Sequence, residues 1–160
     1  MRLILVAVGE RIPSWVEQGF KDYAGRLRRP MTLELIEIPA SRRSRNSNIP
    51  ALVRAEGKRL LAAVPVGWQI IALDSGGRQY DTVALAERFR CWIDDAYNAA
   101  LLVGGPDGLS NEVLNQADEI WSLSALTFAH SLVRVVVAEQ VYRASSILQG
   151  LPYHRGTRFK

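Results

Sequence analysis

Two short loops in the last third of the chain concentrate the residues able to hold a small molecule. The first, Gly104-Gly105-Pro106-Asp107-Gly108, follows the apolar run Ala99 to Val103. Its glycines permit positive φ angles and close backbone approach, which would bring peptide groups against a flat ligand such as an adenine. It has no Gly-Lys-Ser/Thr ending and no Gly-x-Gly-x-x-Gly spacing, so neither P-loop nor dinucleotide chemistry is supported. The second, Trp121-Ser122-Leu123-Ser124-Ala125-Leu126-Thr127-Phe128-Ala129-His130, sets hydroxyls between apolar side chains. Such a loop offers backbone hydrogen bonds beside an apolar slot. Both follow predicted strands, on the side where α/β sheets place their ligands.

The elements that must carry these loops alternate along the chain. Short β-branched runs at Arg2 to Val8, Thr32 to Ile38, Trp68 to Asp74, Ala99 to Val103 and Ile120 to Leu123 read as strands. Amphipathic segments between them read as helices, from Pro13 or Ser14 to Leu27 (with Trp15, Phe20, Tyr23 and Leu27 apolar), Ile49 to Val64, Thr82 to Tyr97 and Ser110 to Gln116. A final helix spans Ala129 to Gln149. Ser75-Gly76-Gly77 should close the third strand, and Asp81 or Thr82 should cap the helix after it. The pattern predicts an α/β protein, a parallel sheet flanked by helices, in one domain over residues 1–160. The last helix is apolar around nearly its whole circumference, which calls for cover on all sides, and a homodimer would supply what one chain lacks. On it, Glu139 and Arg143 stand four apart and can pair, and Arg134, if buried, needs a carboxylate or a phosphate.

With 48% hydrophobic and 22% charged residues, the 160-residue chain has the composition of a globular protein. No apolar run reaches the roughly 20 residues of a membrane span, and the N-terminal run lacks a cleavage site, so a cytoplasmic protein is expected. The single cysteine, Cys91, excludes an internal disulfide and a cysteine-cluster metal site, and reads as a packing residue on a helix. No metal is expected.

The net charge of +4 is unevenly spread: residues 1–60 hold 12 basic and six acidic side chains, residues 61–150 five and ten. Seventeen of the 20 basic residues are arginines, suited to bidentate phosphate contact. The segment Ser41-Arg42-Arg43-Ser44-Arg45-Asn46-Ser47-Asn48 has no periodicity and reads as a mobile loop. Its Arg42, Arg43 and Arg45 are candidate contacts to an RNA backbone; the competing reading is a solvated connection.

At this point a resemblance becomes specific. Gly104-Gly105-Pro106-Asp107-Gly108-Leu109-Ser110, Leu123-Ser124-Ala125-Leu126-Thr127-Phe128, His130, Leu132-Val133-Arg134-Val135, Glu139-Gln140-Val141-Tyr142-Arg143-Ala144 and Pro152-Tyr153-His154 are similar to the ribosomal large subunit methyltransferase H family, of the SPOUT class. Leu5-Val6-Ala7-Val8-Gly9 and Glu37-Ile38-Pro39 match as well. The resemblance implies a C-terminal trefoil knot, a homodimer, and S-adenosyl-L-methionine held by Leu73, Gly104, Leu123, Ser124, Ala125, Leu126, Thr127 and Phe128. It further implies methyl transfer to N3 of a pseudouridine in large-subunit ribosomal RNA within the ribosome. An imide nitrogen, with acidity near that of a phenol at a pKa of roughly 10, needs one mild base. His154 is the favoured candidate, on a basic tail with Tyr153 and Arg155 to position it; His130, the only other histidine, reads as structural and shapes the second loop. Two departures stand out: Ala129 replaces the family's proline, and the chain runs past His154 through Lys160. A catalytically silent ribosome-binding factor, a SPOUT enzyme acting on tRNA, and more distantly a nucleotide-binding regulatory domain are the alternatives.

Overall fold

The computed structural model describes residues 1–156. Two strands of almost unbroken apolar sequence, β1 (Arg2–Val8) and β4 (Ala99–Val103), form the centre of a five-stranded sheet. With β2 (Thr32–Ile38), β3 (Gln69–Gln79) and β5 (Glu119–Ser122) the order is β2-β1-β4-β3-β5, and every pairing is parallel. A parallel sheet is covered on both faces, which is why its central strands need no polar alternation. Successive residues of β1 feed opposite cores: Leu3, Leu5 and Ala7 one, Ile4, Val6 and Val8 the other.

Helices α1 (Ser14–Arg26), α3 (Thr82–Asp94) and α5 (His130–Leu148) cover the first face, α2 (Ile49–Ala62) and α4 (Asn111–Gln116) the second. The α1 stripe runs through Val16 and Phe20 to Leu27, which leaves Trp15 off the stripe and 58% exposed. The inward residues of α3 are Ala86, Phe89 and Trp92. Cys91 therefore faces solvent rather than packing as its sequence context suggested. Asp81 caps α3 through its side chain, which accepts from the Ala84 N–H at 2.7 Å. The helix stops at Asp94, short of Tyr97, because Ala96 turns left-handed at φ 57° and the Tyr97 N–H returns to the Trp92 carbonyl.

The third strand does not end at its glycines. Leu73 and Arg78 both stand opposite Trp121, so Asp74 to Gly77 bulge out and the strand resumes to Gln79. Here β5 approaches so closely that a Cβ on Gly77 would lie 2.6 Å from the Ile120 and Trp121 carbonyl carbons. Glycine is thus required by contact with a strand some forty residues later, not by a turn.

Helix α5 lies between α1 and α3, and none of its side chains from Ser131 to Leu148 is exposed. The cover that the apolar circumference demanded comes largely from the chain itself. Arg134 is fully buried, and its guanidinium donates to the Gly9 carbonyl at 2.6 Å and the Val8 carbonyl at 3.3 Å. The Glu37 carboxylate lies 3.9 Å from its Nε. The expected carboxylate is therefore present, and carbonyls at the end of β1 supply the hydrogen bonds.

Candidate functional site

The loops after β4 and β5 meet across a cleft of about 480 Å³ at the C-terminal ends of β4 and β5 and beside the β3 bulge. Leu73, Gly104, Leu123, Ser124, Leu126, Thr127 and Phe128 line it, as do Asp74 and Ser75 from the β3 bulge and His130 and Val133 from α5. Ala125, in the same loop, is exposed and does not line it. Asp74 and Ser75 were missed at the sequence level because Gly76-Gly77 looked like the end of a strand.

The first loop doubles back on itself. Gly108, at φ +80°, donates its N–H to the Gly105 carbonyl at 3.0 Å. The return passes so near Gly104 that a Cβ there would lie 2.4 Å from both the carbonyl carbon and the oxygen of Gly108. Glycine at 104 is therefore set by the loop's own closure, rather than by room left for a ligand.

The second loop spends its serine hydroxyls on its own shape. The Ser122 hydroxyl donates to the Ser124 carbonyl at 3.0 Å, and the Leu126 N–H donates to the Ser124 hydroxyl at 2.9 Å. Among the described residues, the N–H groups of Ala125, Thr127 and Phe128 have no protein acceptor. Leu126, 74% exposed, stands at the cleft mouth. Ala129 takes φ −59°, within the range a proline ring would fix, so the backbone here is one the family's proline could also adopt.

His130 opens α5 at the cleft wall. Burial lowers its pKa from the ordinary value, and the nearby Arg134 and Arg43 charges lower it further. The shift favours the neutral imidazole.

The tail is elsewhere. Tyr153 donates its hydroxyl to Glu139 at 3.0 Å, packs edge-on against Tyr142, and lies under the Arg143 guanidinium. Glu139 also receives Arg143 Nε at 2.8 Å, the pairing expected from their spacing. Burial, then the Glu139 contact, push the Tyr153 phenol up to about 12. At 1.5 Å per residue, the Glu139–Arg143 stretch lies roughly 14 to 20 Å along α5 from His130. Neither Tyr153, His154 nor Arg155 lines the cleft of its own chain. His154 is half-buried, with its Nδ1 enclosed and unpartnered among the described residues. Arg158 and Lys160 lie outside the described residues.

The segment at 41–48 is irregular, as expected, but it is tied down. The Ser41 N–H donates to Glu56 at 2.8 Å, Arg59 reaches the Ser41 hydroxyl at 2.8 Å, and Ser44 and Ser47 bond to each other. Arg43 turns inward: its guanidinium donates to both oxygens of Glu56 and, at 2.7 Å, to Asp107 in the glycine loop. Those contacts, Glu56 foremost, raise its pKa. Its donors are engaged by protein, while Arg42 and Arg45 remain exposed. Among the described residues no cluster of side chains suits a metal ion, and no helix is long and apolar enough to cross a membrane.

Comparison with known proteins agrees with this geometry. Residues 1–154 match the family described as "Predicted SPOUT methyltransferase". Curated relatives called ribosomal RNA large subunit methyltransferase H include one from Methylococcus capsulatus, 51% identical, and one from Marinomonas sp., 47% identical. Each alignment spans 97% of this chain and 100% of the relative. Among solved structures, a probable methyltransferase from Bordetella pertussis superposes with a TM-score of 0.56 at 17% identity, covering 90% of this chain and 95% of that one. A probable methylase family protein from Haemophilus influenzae gives 0.51 at 15% identity, covering 97% and 70%. The family match over residues 1–154 and the near-full-length relatives agree: the chain belongs to the SPOUT methyltransferase family.

Proposed function

We propose that this protein is an S-adenosyl-L-methionine-dependent methyltransferase that modifies N3 of a pseudouridine in large-subunit ribosomal RNA. It works as a cytoplasmic homodimer on the assembled ribosome, and its C-terminal segment is knotted. The observation that carries this reading is the cleft at the ends of β4 and β5 and the β3 bulge, in a chain about half identical to full-length relatives named for ribosomal RNA methylation.

The cleft fits the cofactor. Its 480 Å³ lies within the usual range of small-molecule sites, roughly 300 to 1,000 Å³. Leu73, Leu123, Phe128 and Val133 give it apolar walls, while the Thr127 and Phe128 N–H groups offer donors to a flat polar edge. When bound, the cofactor supplies an electrophilic methyl carbon on sulfonium. The chain's part is then to align the nitrogen and to take its proton. His154 is the proposed base, with Tyr153 anchoring the tail and Arg155 beside a phosphate. His130, whose shift favours the neutral form, is the other imidazole able to accept a proton, but it lines the cleft assigned to the cofactor. Because the tail lies far from its own cleft, His154 acts at the cleft of the second subunit. The proposed RNA contacts are Arg42 and Arg45.

Labelled S-adenosyl-L-methionine incubated with ribosomes lacking the modification should yield N3-methylpseudouridine, identified by mass spectrometry of the nucleosides. Ribosome and cofactor binding without transfer would instead mark a binding factor, and label appearing in tRNA would mark a different substrate. The double change Arg42→Glu and Arg45→Glu should weaken ribosome binding and flatten its salt dependence by about two in the log–log slope. Unchanged affinity and slope would return the segment to a solvated connection.

A further inference from the structure

Arg43 joins three parts of the molecule that the methyl-transfer reading leaves separate. Its fixed point is Glu56, 1% exposed on the inner side of α2, which accepts from Arg43 at 2.9 and 3.2 Å. Its outer arm is Asp107, whose side chain is 35% exposed at the tip of the glycine loop. The loop also passes beside the ion pair: a Cβ added at Gly105 would lie 3.4 Å from Glu56 Oε2 and 3.6 Å from Arg43 Nη2. Gly105 lines the cleft and neighbours this pair. The Arg43–Asp107 bond ties the tip of the glycine loop to Arg43. Arg43 in turn belongs to the segment that exposes Arg42 and Arg45.

We propose that Arg43 is a positioning residue whose bond to Asp107 latches the glycine loop of the cleft to segment 41–48, so that filling the cleft also orders the segment that faces RNA. The inference rests on the cofactor reading above. A guanidinium suits the task because its planar fork can serve two carboxylates at once, which a lysine ammonium cannot do in the same geometry. Glu56 holds one side of the fork in a site closed to solvent, and Asp107 is the side that can let go.

The test uses the full chain, S-adenosylhomocysteine as the probe and trypsin, which cleaves after Arg42, Arg43 and Arg45. Asp107→Asn weakens the latch by removing its outer charge and leaves the Arg43–Glu56 pair intact; Asp107→Glu keeps the carboxylate. If opening of the segment requires release of the loop, ligand at ten times its Kd slows cleavage about tenfold in the unchanged chain. Asp107→Glu should retain most of that protection. Asp107→Asn should lose it, and its ligand Kd should rise about five- to tenfold. Arg43→Lys, judged at matched ligand occupancy, should lose protection in the same way, and it keeps the test available if Asp107→Asn fails to fold. Equal protection in all four chains, or none in an unchanged chain that binds the ligand, would overturn the latch and leave the cofactor reading standing. No binding of S-adenosylhomocysteine by the unchanged chain would overturn both.

Discussion

Gly104→Ala should abolish binding of S-adenosylhomocysteine as completely as Gly104→Val. The two substitutions separate two reasons for a glycine at this position. If its role were only to leave room for a bound molecule, one methyl group would weaken binding and an isopropyl group would weaken it much more. In the folded loop, the methyl carbon alone would sit 2.4 Å from the Gly108 carbonyl group, which is backbone and cannot rotate aside. The return from Gly105 to Gly108 must open, and the wall it forms for the cleft opens with it. We expect a loss of affinity above about 100-fold, close to 3 kcal/mol, for either variant. Gly108→Ala is the contrasting case: nothing lies within 4 Å of its Cβ position, and its cost is the left-handed φ of +80°. That cost is about 1 to 2 kcal/mol of strain, part of it absorbed by relaxation, so its affinity loss should be smaller. Calorimetry on chains of verified fold decides the matter; Gly104→Ala with unchanged affinity would remove the loop's closure from the account of the site.

The readable parts of this molecule are those whose causes are local. The apolar runs of β1 and β4 announce strands buried on two faces, and the apolar positions Phe20 in α1 and Leu60 in α2 announce helices turned toward them. Asp81 and Ser110 mark helix starts because each side chain bonds to a backbone N–H three residues on. What escaped depends on contacts between distant segments. Nothing near Ser75-Gly76-Gly77 reveals that β5 will press on Gly77, and so the bulge that carries Asp74 and Ser75 into the cleft looks like a strand end. Strand order is equally non-local, since β4 inserts between β1 and β3. One signal could have been used. Glu56 stands four residues after Leu52 and four before Leu60, on the inward face of its helix, and a carboxylate there demands a cationic partner. Following that demand would have turned Arg43 away from RNA and toward the protein. The two cleft loops were legible as a pair of motifs, whereas the separation of the tail from its own cleft follows from how Tyr153 seats on α5.

That separation leads to the second large effect. His154→Ala should lower turnover by about 10²-fold or more, the usual contribution of a general base, while leaving S-adenosylhomocysteine affinity within about twofold. His130→Ala should act chiefly on the cofactor, because His130 lines the cleft and His154 does not. The decisive form of the experiment combines two inactive chains. Tyr153 is held by Glu139, Tyr142 and Arg143, well along α5 from the cleft, and its phenol, pushed up to about 12, stays protonated as an anchor. In the proposed dimer, a tail so anchored would serve the neighbouring subunit. Two differently tagged chains, one carrying His154→Ala and the other Gly104→Ala, would pair so that one cleft lacks both its loop and its base while the other has both intact. The purified heterodimer should therefore recover about half the activity of the unchanged dimer, one working site of two. A tail acting on its own cleft predicts no recovery, since each cleft would then keep one defect. Recovery near half assigns the base to the opposite subunit; its absence, with heterodimer formation verified, returns the reaction to residues of a single chain, and His130 becomes the group to test.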